Sequence, residues 1–143
     1  MNEFAYQGVG IVGWGVAVPP KRVWAKSLVP IEKEPYKDDI FGIRTKSIAQ
    51  EDEDTITLSI DAVIDCFSQL STNHGENIAE QIRGEVGALF IGSESHPYAV
   101  KPSGSVVASA VGLPFEIACA DLQFACKAGT QAILQAVAHV ASG

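Results

Sequence analysis

Two side chains, a thiol and a carboxylate, stand out by type and position as candidates for chemistry. Cys126 follows an apolar run, Ile117–Leu122, and opens an Ala- and Val-rich stretch of helical length, Cys126–Ala141. A thiol at a helix N-terminus with Lys127 beside it is placed to favour the thiolate, the nucleophilic form. A lysine in the first turn works against the helix dipole, a local conflict of the kind expected where function outweighs stability. Glu94 follows another apolar run, Val86–Gly92, at the head of the polar stretch Ser93–Pro97. Ligands of parallel α/β sheets bind beyond the carboxyl ends of the strands, so both side chains open onto one edge if the two strands are neighbours. Position alone leaves the bland readings open: a cysteine before an apolar helix is commonly a core residue, and a glutamate after a strand is commonly just solvated. Cys66 reads as a small core or boundary residue of a helix. His96 reads as a structural neighbour of Glu94 or a pocket wall, and His139 sits near a helix C-terminus, where positive charge is favourable. The three cysteines, Cys66, Cys119 and Cys126, are odd in number and lack paired zinc-type spacing, which predicts reduced thiols and no metal site.

The elements that would position these residues alternate between strand and helix. Val9–Val18, apolar and broken by Gly10, Gly13 and Gly15 before Pro19-Pro20, predicts a buried strand leaving through a tight loop. Lys21–Ala49 is the least legible part: Pro30 and Pro35 oppose a long helix, and the charged stretch Glu32–Asp39 predicts a solvated surface. The acidic run Glu51–Asp54 with Thr55 predicts a helix start capped by Asp54 or Thr55. Ile56, Ile60, Val63, Ile64 and Phe67 then give one apolar face through about Leu70. Ser71–Asn77 reads as a polar loop and Ile78–Ile82 as a short helical turn. Val86–Gly92 and Ile117–Leu122, the latter interrupted by Asp121, are strands, and Ser103–Val111 is a short helix of small residues. The Cys126–Ala141 helix is apolar nearly all round, which predicts burial inside the protein. Unbroken apolar strands alternating with helices predict an α/β fold with a mostly parallel sheet covered on both faces.

Composition narrows the partners. The chain has 143 residues, 47% hydrophobic, and a formal net charge of −7. One domain of ordinary core content fits that length. The acidic balance argues against a nucleic-acid or anionic-membrane surface but not against a small anionic ligand held by local cations or a helix N-terminus. No segment reaches the roughly 18 apolar residues of a membrane span, and Met1–Phe4 has no secretory pattern. A cytoplasmic location is the expectation.

The wording around the two candidate residues carries a family resemblance. Gly92-Ser93-Glu94-Ser95-His96-Pro97-Tyr98-Ala99-Val100-Lys101-Pro102 resembles the glutamate segment of archaeal-type hydroxymethylglutaryl-CoA synthases, and Ala120-Asp121-Leu122-Gln123-Phe124-Ala125-Cys126-Lys127-Ala128-Gly129-Thr130 resembles their nucleophile segment. Val9–Gly13 and Asp52–Thr55 also fit, and the similarity is weakest between Lys21 and Phe41. The resemblance implies a partial thiolase-like fold: residues 1–143 as the first strand–helix units of an N-terminal half, with the C-terminal half absent. It implies that Cys126 is the nucleophile that carries the acetyl group and Glu94 the general acid/base, in the condensation of acetyl-CoA with acetoacetyl-CoA. Coenzyme A thioesters are then substrates, with no permanently bound cofactor. The implied partners are the missing half, a homodimer mate, and a thiolase with a small CoA-bridging protein. The family's catalytic histidine and second oxyanion donor lie in the missing half, and His74, His96 and His139 match none of that motif. Cys119 stands where the family more often has a small residue such as alanine, so it reads as a core substitution; Lys21–Phe41 is too divergent to assign a CoA contact. Two other readings compete: a ketoacyl synthase III relative, against which Glu94 counts, and a truncated, non-catalytic fragment. The isolated chain is expected to be inactive.

Overall fold

The longest element begins where the acidic run predicts. In the computed structural model, which describes residues 8–28 and 43–143, helix α1 spans Thr55–His74. The Asp54 carboxylate accepts the Ile56 and Thr57 N–H groups at 2.8 and 2.9 Å, and the Thr57 hydroxyl accepts the Asp54 N–H at 2.8 Å. Such a reciprocal cap is worth about 1 kcal/mol. Helix α1 runs beyond Leu70 to Gly75, whose φ of 94° separates it from α2, Glu76–Gly84. The Ser71–Asn77 loop and the single turn at Ile78–Ile82 are therefore corrected. The segment is two helices with a break at the one residue free to take that conformation.

Strands β3, Ala88–Gly92, and β4, Ala118–Leu122, pair in parallel with Gly92 opposite Leu122. Helix α3, Ser103–Ala110, connects them, and α4, Ala128–Ala141, follows β4. Alternation along the strands divides the faces. Leu89 and Ile91 join Ile56 and Val107 in one core under α1 and α3. Phe90 meets His139 of α4 edge-on, with ring centroids 5.9 Å apart. Helices thus cover both faces, as expected of parallel strands. Gly92 fixes how closely α4 lies on β3: a Cβ there would meet the Ala128 carbonyl and come within 2.8 Å of the Gly129 nitrogen. A second core joins Phe67, Leu70 and Ala79, with Cys66, Ile82, Val86 and Leu113 packed on it. The Arg83 guanidinium ties α2 to the end of α3, donating to the Val111 carbonyl at 2.8 Å while lying 4.5 Å from the Phe67 ring centroid.

Three expectations are overturned. Val9–Val18 is extended but joins no strand ladder among the described residues. Instead it lies along α1, where a Cβ on Gly15 would meet the Ala62 carbonyl and the Cys66 backbone, and Asp65 accepts the Val16 N–H at 2.9 Å. Its other side is open, with Ile11, Trp14 and Val16 exposed. Second, α4 starts at Ala128 rather than Cys126 and buries only Ala128 and Ala132, leaving Ile133, Leu134 and Val140 exposed. Third, the hard-to-read region contributes β1, Arg22–Trp24, paired antiparallel with β2, Thr45–Ser47, so the described strands form one antiparallel and one parallel pair rather than a mostly parallel sheet. The charged stretch Glu32–Asp39 and the Met1–Phe4 terminus lie outside the described residues.

Candidate active site

The parallel register of β3 and β4 brings the two candidate residues to the same sheet edge. Glu94 stands two residues after Gly92 and Cys126 four after Leu122, and the Ser93 N–H continues the ladder to the Leu122 carbonyl at 3.1 Å. Both side chains are exposed. Glu94 makes no hydrogen bond or ion pair among the described residues.

Cys126 lies just before the helix, not in it. Lys127 is the cap residue, without a side-chain cap of its own. The turn into α4 is closed by Lys127 N–H to the Phe124 carbonyl at 2.9 Å and Ala128 N–H to the Ala125 carbonyl at 3.1 Å. Ala125 takes φ 42°, a left-handed conformation that costs an L-residue about 1–2 kcal/mol. The Lys127 ammonium is directed elsewhere, donating to Gln131 Oε1 at 2.8 Å and lying 5.2 Å from the Phe124 ring centroid.

The Glu94 loop is fastened on both sides. On one side, the Thr55 hydroxyl lies 2.9 Å from Ser93 Oγ and donates to the Ser95 carbonyl at 2.9 Å. On the other, His96 Nδ1 lies 3.0 Å from Ser103 Oγ and 3.5 Å from Asp121 Oδ2, and Nε2 lies 3.4 Å from the Leu122 carbonyl. Ser103 is fully buried. Asp121 supplies what α3 lacks. The cap residue Pro102 has no side-chain acceptor, and the Asp121 carboxylate accepts the Ser103 and Gly104 N–H groups at 2.6 and 3.0 Å. The acid that interrupts a strand in the sequence is thus the cap of a distant helix.

Burial works to raise the Asp121 pKa, but the Ser103 and Gly104 N–H groups, the Ser103 hydroxyl and His96 outweigh it and hold it below the usual value. Because the folded pKa is depressed, this carboxylate stabilises the fold fully above the ordinary carboxyl pKa of about 4, and the contribution is lost as pH falls through the lower folded value. Asp121→Asn is expected to lower stability at neutral pH and to flatten the acid limb of a stability–pH curve. An unchanged acid limb would show that the carboxylate is not coupled to folding.

The remaining candidates fall into structural places. Burial, then Asp65, pushes the Cys66 thiol up, and burial, then Asp121, does the same to Cys119. Cys119 faces α3, where its Cβ lies 3.4 Å from the position a Cβ on Gly104 would take. His74 closes the last turn of α1. A cleft of about 680 Å³ beside the Glu94 loop is lined by His96, Tyr98, Lys101, Asp121 and Gln123 among others; neither Glu94 nor Cys126 lines it. Among the described residues no group of three His, Cys, Asp or Glu side chains could hold a metal, and no helix is long and apolar enough to cross a membrane.

Comparison with known proteins sets this edge in context. No family model matches the chain. The hydroxymethylglutaryl-CoA synthase of Methanosphaera stadtmanae is 39% identical over 136 residues, covering 94% of this chain and 37% of that protein. That of Thermococcus kodakarensis is 40% identical over 135 residues, covering 94% and 35%. Over most of its length the chain is similar to one part of the archaeal hydroxymethylglutaryl-CoA synthases. It spans about 37% of the length of the first of these synthases. Two solved structures share the fold. MvaS in complex with 3-hydroxy-3-methylglutaryl coenzyme A matches with a TM-score of 0.71 and 29% identity, over 94% of this chain and 31% of that one. The β-ketoacyl-[acyl carrier protein] synthase III of Thermus thermophilus matches with a TM-score of 0.70 and 25% identity, over 94% and 39%. The architecture is a mixed α/β, partial thiolase-like fold.

Proposed function

We propose that this chain is the nucleophile-bearing N-terminal part of a hydroxymethylglutaryl-CoA synthase, acting with a complementary C-terminal part. The observation that carries the reading is the parallel β3–β4 register, which delivers Glu94 and Cys126 to one edge. The Cys126 thiolate attacks the acetyl-CoA carbonyl and expels the CoA thiolate, leaving an acetyl thioester on the protein. The backbone N–H of Cys126 and the N-terminal end of α4 support the oxyanion of that step. Glu94 removes a proton from the acetyl methyl, and the resulting carbon nucleophile attacks the ketone of acetoacetyl-CoA. The alkoxide takes a proton from the complementary part. Water then cleaves the thioester, releasing hydroxymethylglutaryl-CoA and regenerating Cys126. No metal or bound cofactor is needed for this sequence of steps. A homodimer, association with a thiolase and a small CoA-bridging protein, and a cytoplasmic location belong to the same reading.

The likeness to a ketoacyl synthase III is nearly as close in fold. Glu94 favours the first reading, because a carboxylate base suits condensation without decarboxylation. The test is mass spectrometry of the reconstituted protein after acetyl-CoA. An acetyl adduct is expected on the Cys126 peptide, absent in Cys126→Ser. An adduct elsewhere, or none, would overturn the assignment of the nucleophile.

A further inference from the structure

The loop that presents Glu94 has more anchors than a solvent-exposed loop requires, and they come from two different helices. Thr55, the first residue of α1, engages Ser93 and Ser95, the residues on either side of Glu94. The Ser95 N–H closes on Ser93 Oγ at 3.1 Å, so the backbone around Glu94 forms a small hydroxyl-bonded turn. Immediately after it, His96 is drawn inward. Its side chain is only 5% exposed, and both ring nitrogens face partners on the α3 N-terminus and the end of β4. The Asp121 carboxylate that holds α3 also faces this ring, and the following strand residue, Leu122, accepts from both Ser93 N–H and the ring edge. The chain leaves β4 at Leu122 and reaches Cys126 four residues later. One set of contacts therefore ties the Glu94 backbone to the strand that carries the Cys126 turn, while the Glu94 carboxylate has no partner among the described residues.

We propose that Thr55 and His96 are positioning residues that pin the Ser93–His96 turn from opposite sides and so fix the Glu94 carboxylate relative to Cys126. Neither touches the reacting atoms; they act through the backbone. A general base displaced by about 1 Å can lose on the order of a hundredfold in rate, whereas the acylation of Cys126 does not require it. The inference rests on the proposed roles of Glu94 and Cys126 for its kinetic arm only.

Four variants test it: Thr55→Val and His96→Ala, which remove the contacts, and Thr55→Ser and His96→Asn, which keep a hydroxyl or a polar group at the Nδ1 position. Hydrogen–deuterium exchange on the 143-residue chain reads the pinning directly. Thr55→Val and His96→Ala are expected to speed exchange in 93–102 by at least about tenfold while α1 and β3 stay protected, and the Ser and Asn variants to restore it. With the complementary half present, the first pair is expected to slow condensation about a hundredfold and to leave acetylation within about threefold, again with rescue by the second pair. Unchanged exchange in 93–102, loss of protection across the whole chain, equal loss of both half-reactions, or failure of the conservative variants to rescue would each overturn the proposal. If the unmodified protein forms no acetyl adduct, the functional reading fails, and the exchange results still decide whether the turn is pinned.

Discussion

Glu94→Ala, in the chain reconstituted with its complementary half, is expected to form the acetyl-Cys126 adduct at close to the unmodified rate and to lose condensation. General-base catalysis contributes about 10²–10⁴-fold, and the full range is expected here, because Glu94 has no neighbouring carboxylate among the loop residues Ser93–Pro102 to take over. The split follows from what each step requires. In the proposed mechanism, attack on the thioester needs a thiolate and an oxyanion donor, both assigned to the β4–α4 side of the edge. Deprotonation of the methyl needs a base, which the same proposal puts on the β3 side. The register that brings the two to one edge also keeps them on separate strands, so removing one leaves the other's backbone intact. Rapid-quench measurement of adduct and product provides the check. Equal loss of adduct and product would mean that Glu94 supports acylation as well and that the division of roles is wrong.

The isolated chain is expected to self-associate and to bind a hydrophobic dye. Ile133, Leu134 and Val140 on α4 are 56%, 45% and 65% exposed, and Ile11, Val12 and Trp14 on the extended segment are 79%, 72% and 65% exposed. Full burial of a large apolar side chain is worth about 1.5–3 kcal/mol, so even at their partial exposure these six forgo an energy comparable to the lower part of a whole-domain stability of about 5–15 kcal/mol. The two patches are of different kinds. The α4 patch is the flank of a helix whose other side rests on β3; the Ile11–Val16 patch is the uncovered side of a stretch with no ladder among the described residues. Sedimentation velocity with dye fluorescence tests both. A dye-silent monomer with a cooperative melt would show that these side chains find cover within the chain itself.

The apolar runs at Val86–Gly92 and Ile117–Leu122 were legible as strands because a parallel strand covered on both faces leaves an unbroken signal. The acidic start of α1 was legible because capping is local chemistry. What could not be read depends on distance. Asp121 looks like a flaw in a strand until α3 is seen to begin with Pro102, which has no side-chain acceptor to offer. Thr55 looks like a cap until its hydroxyl is seen to reach a loop 40 residues away. The extended run at Val9–Val18 carries the glycines and the hydrophobicity of a buried strand. Those glycines instead serve close approach to α1, and the ladder partners that hydrophobicity implied do not appear among the described residues. The true start of α4 was hidden because Ala125 leaves β4 through a left-handed turn that alanine seldom adopts.

That turn also sets two kinds of selection against each other at one position. Glycine at 125 would relieve the left-handed strain and, in the folded state, make the chain easier to satisfy. It would also widen the range of directions in which the next residue can point. An alanine forced into φ 42° is a narrow well that aims Cys126 one way. Ala125→Gly is therefore a substitution that a screen for thermal tolerance would keep and, with Cys126 as the proposed nucleophile, a screen for turnover would discard.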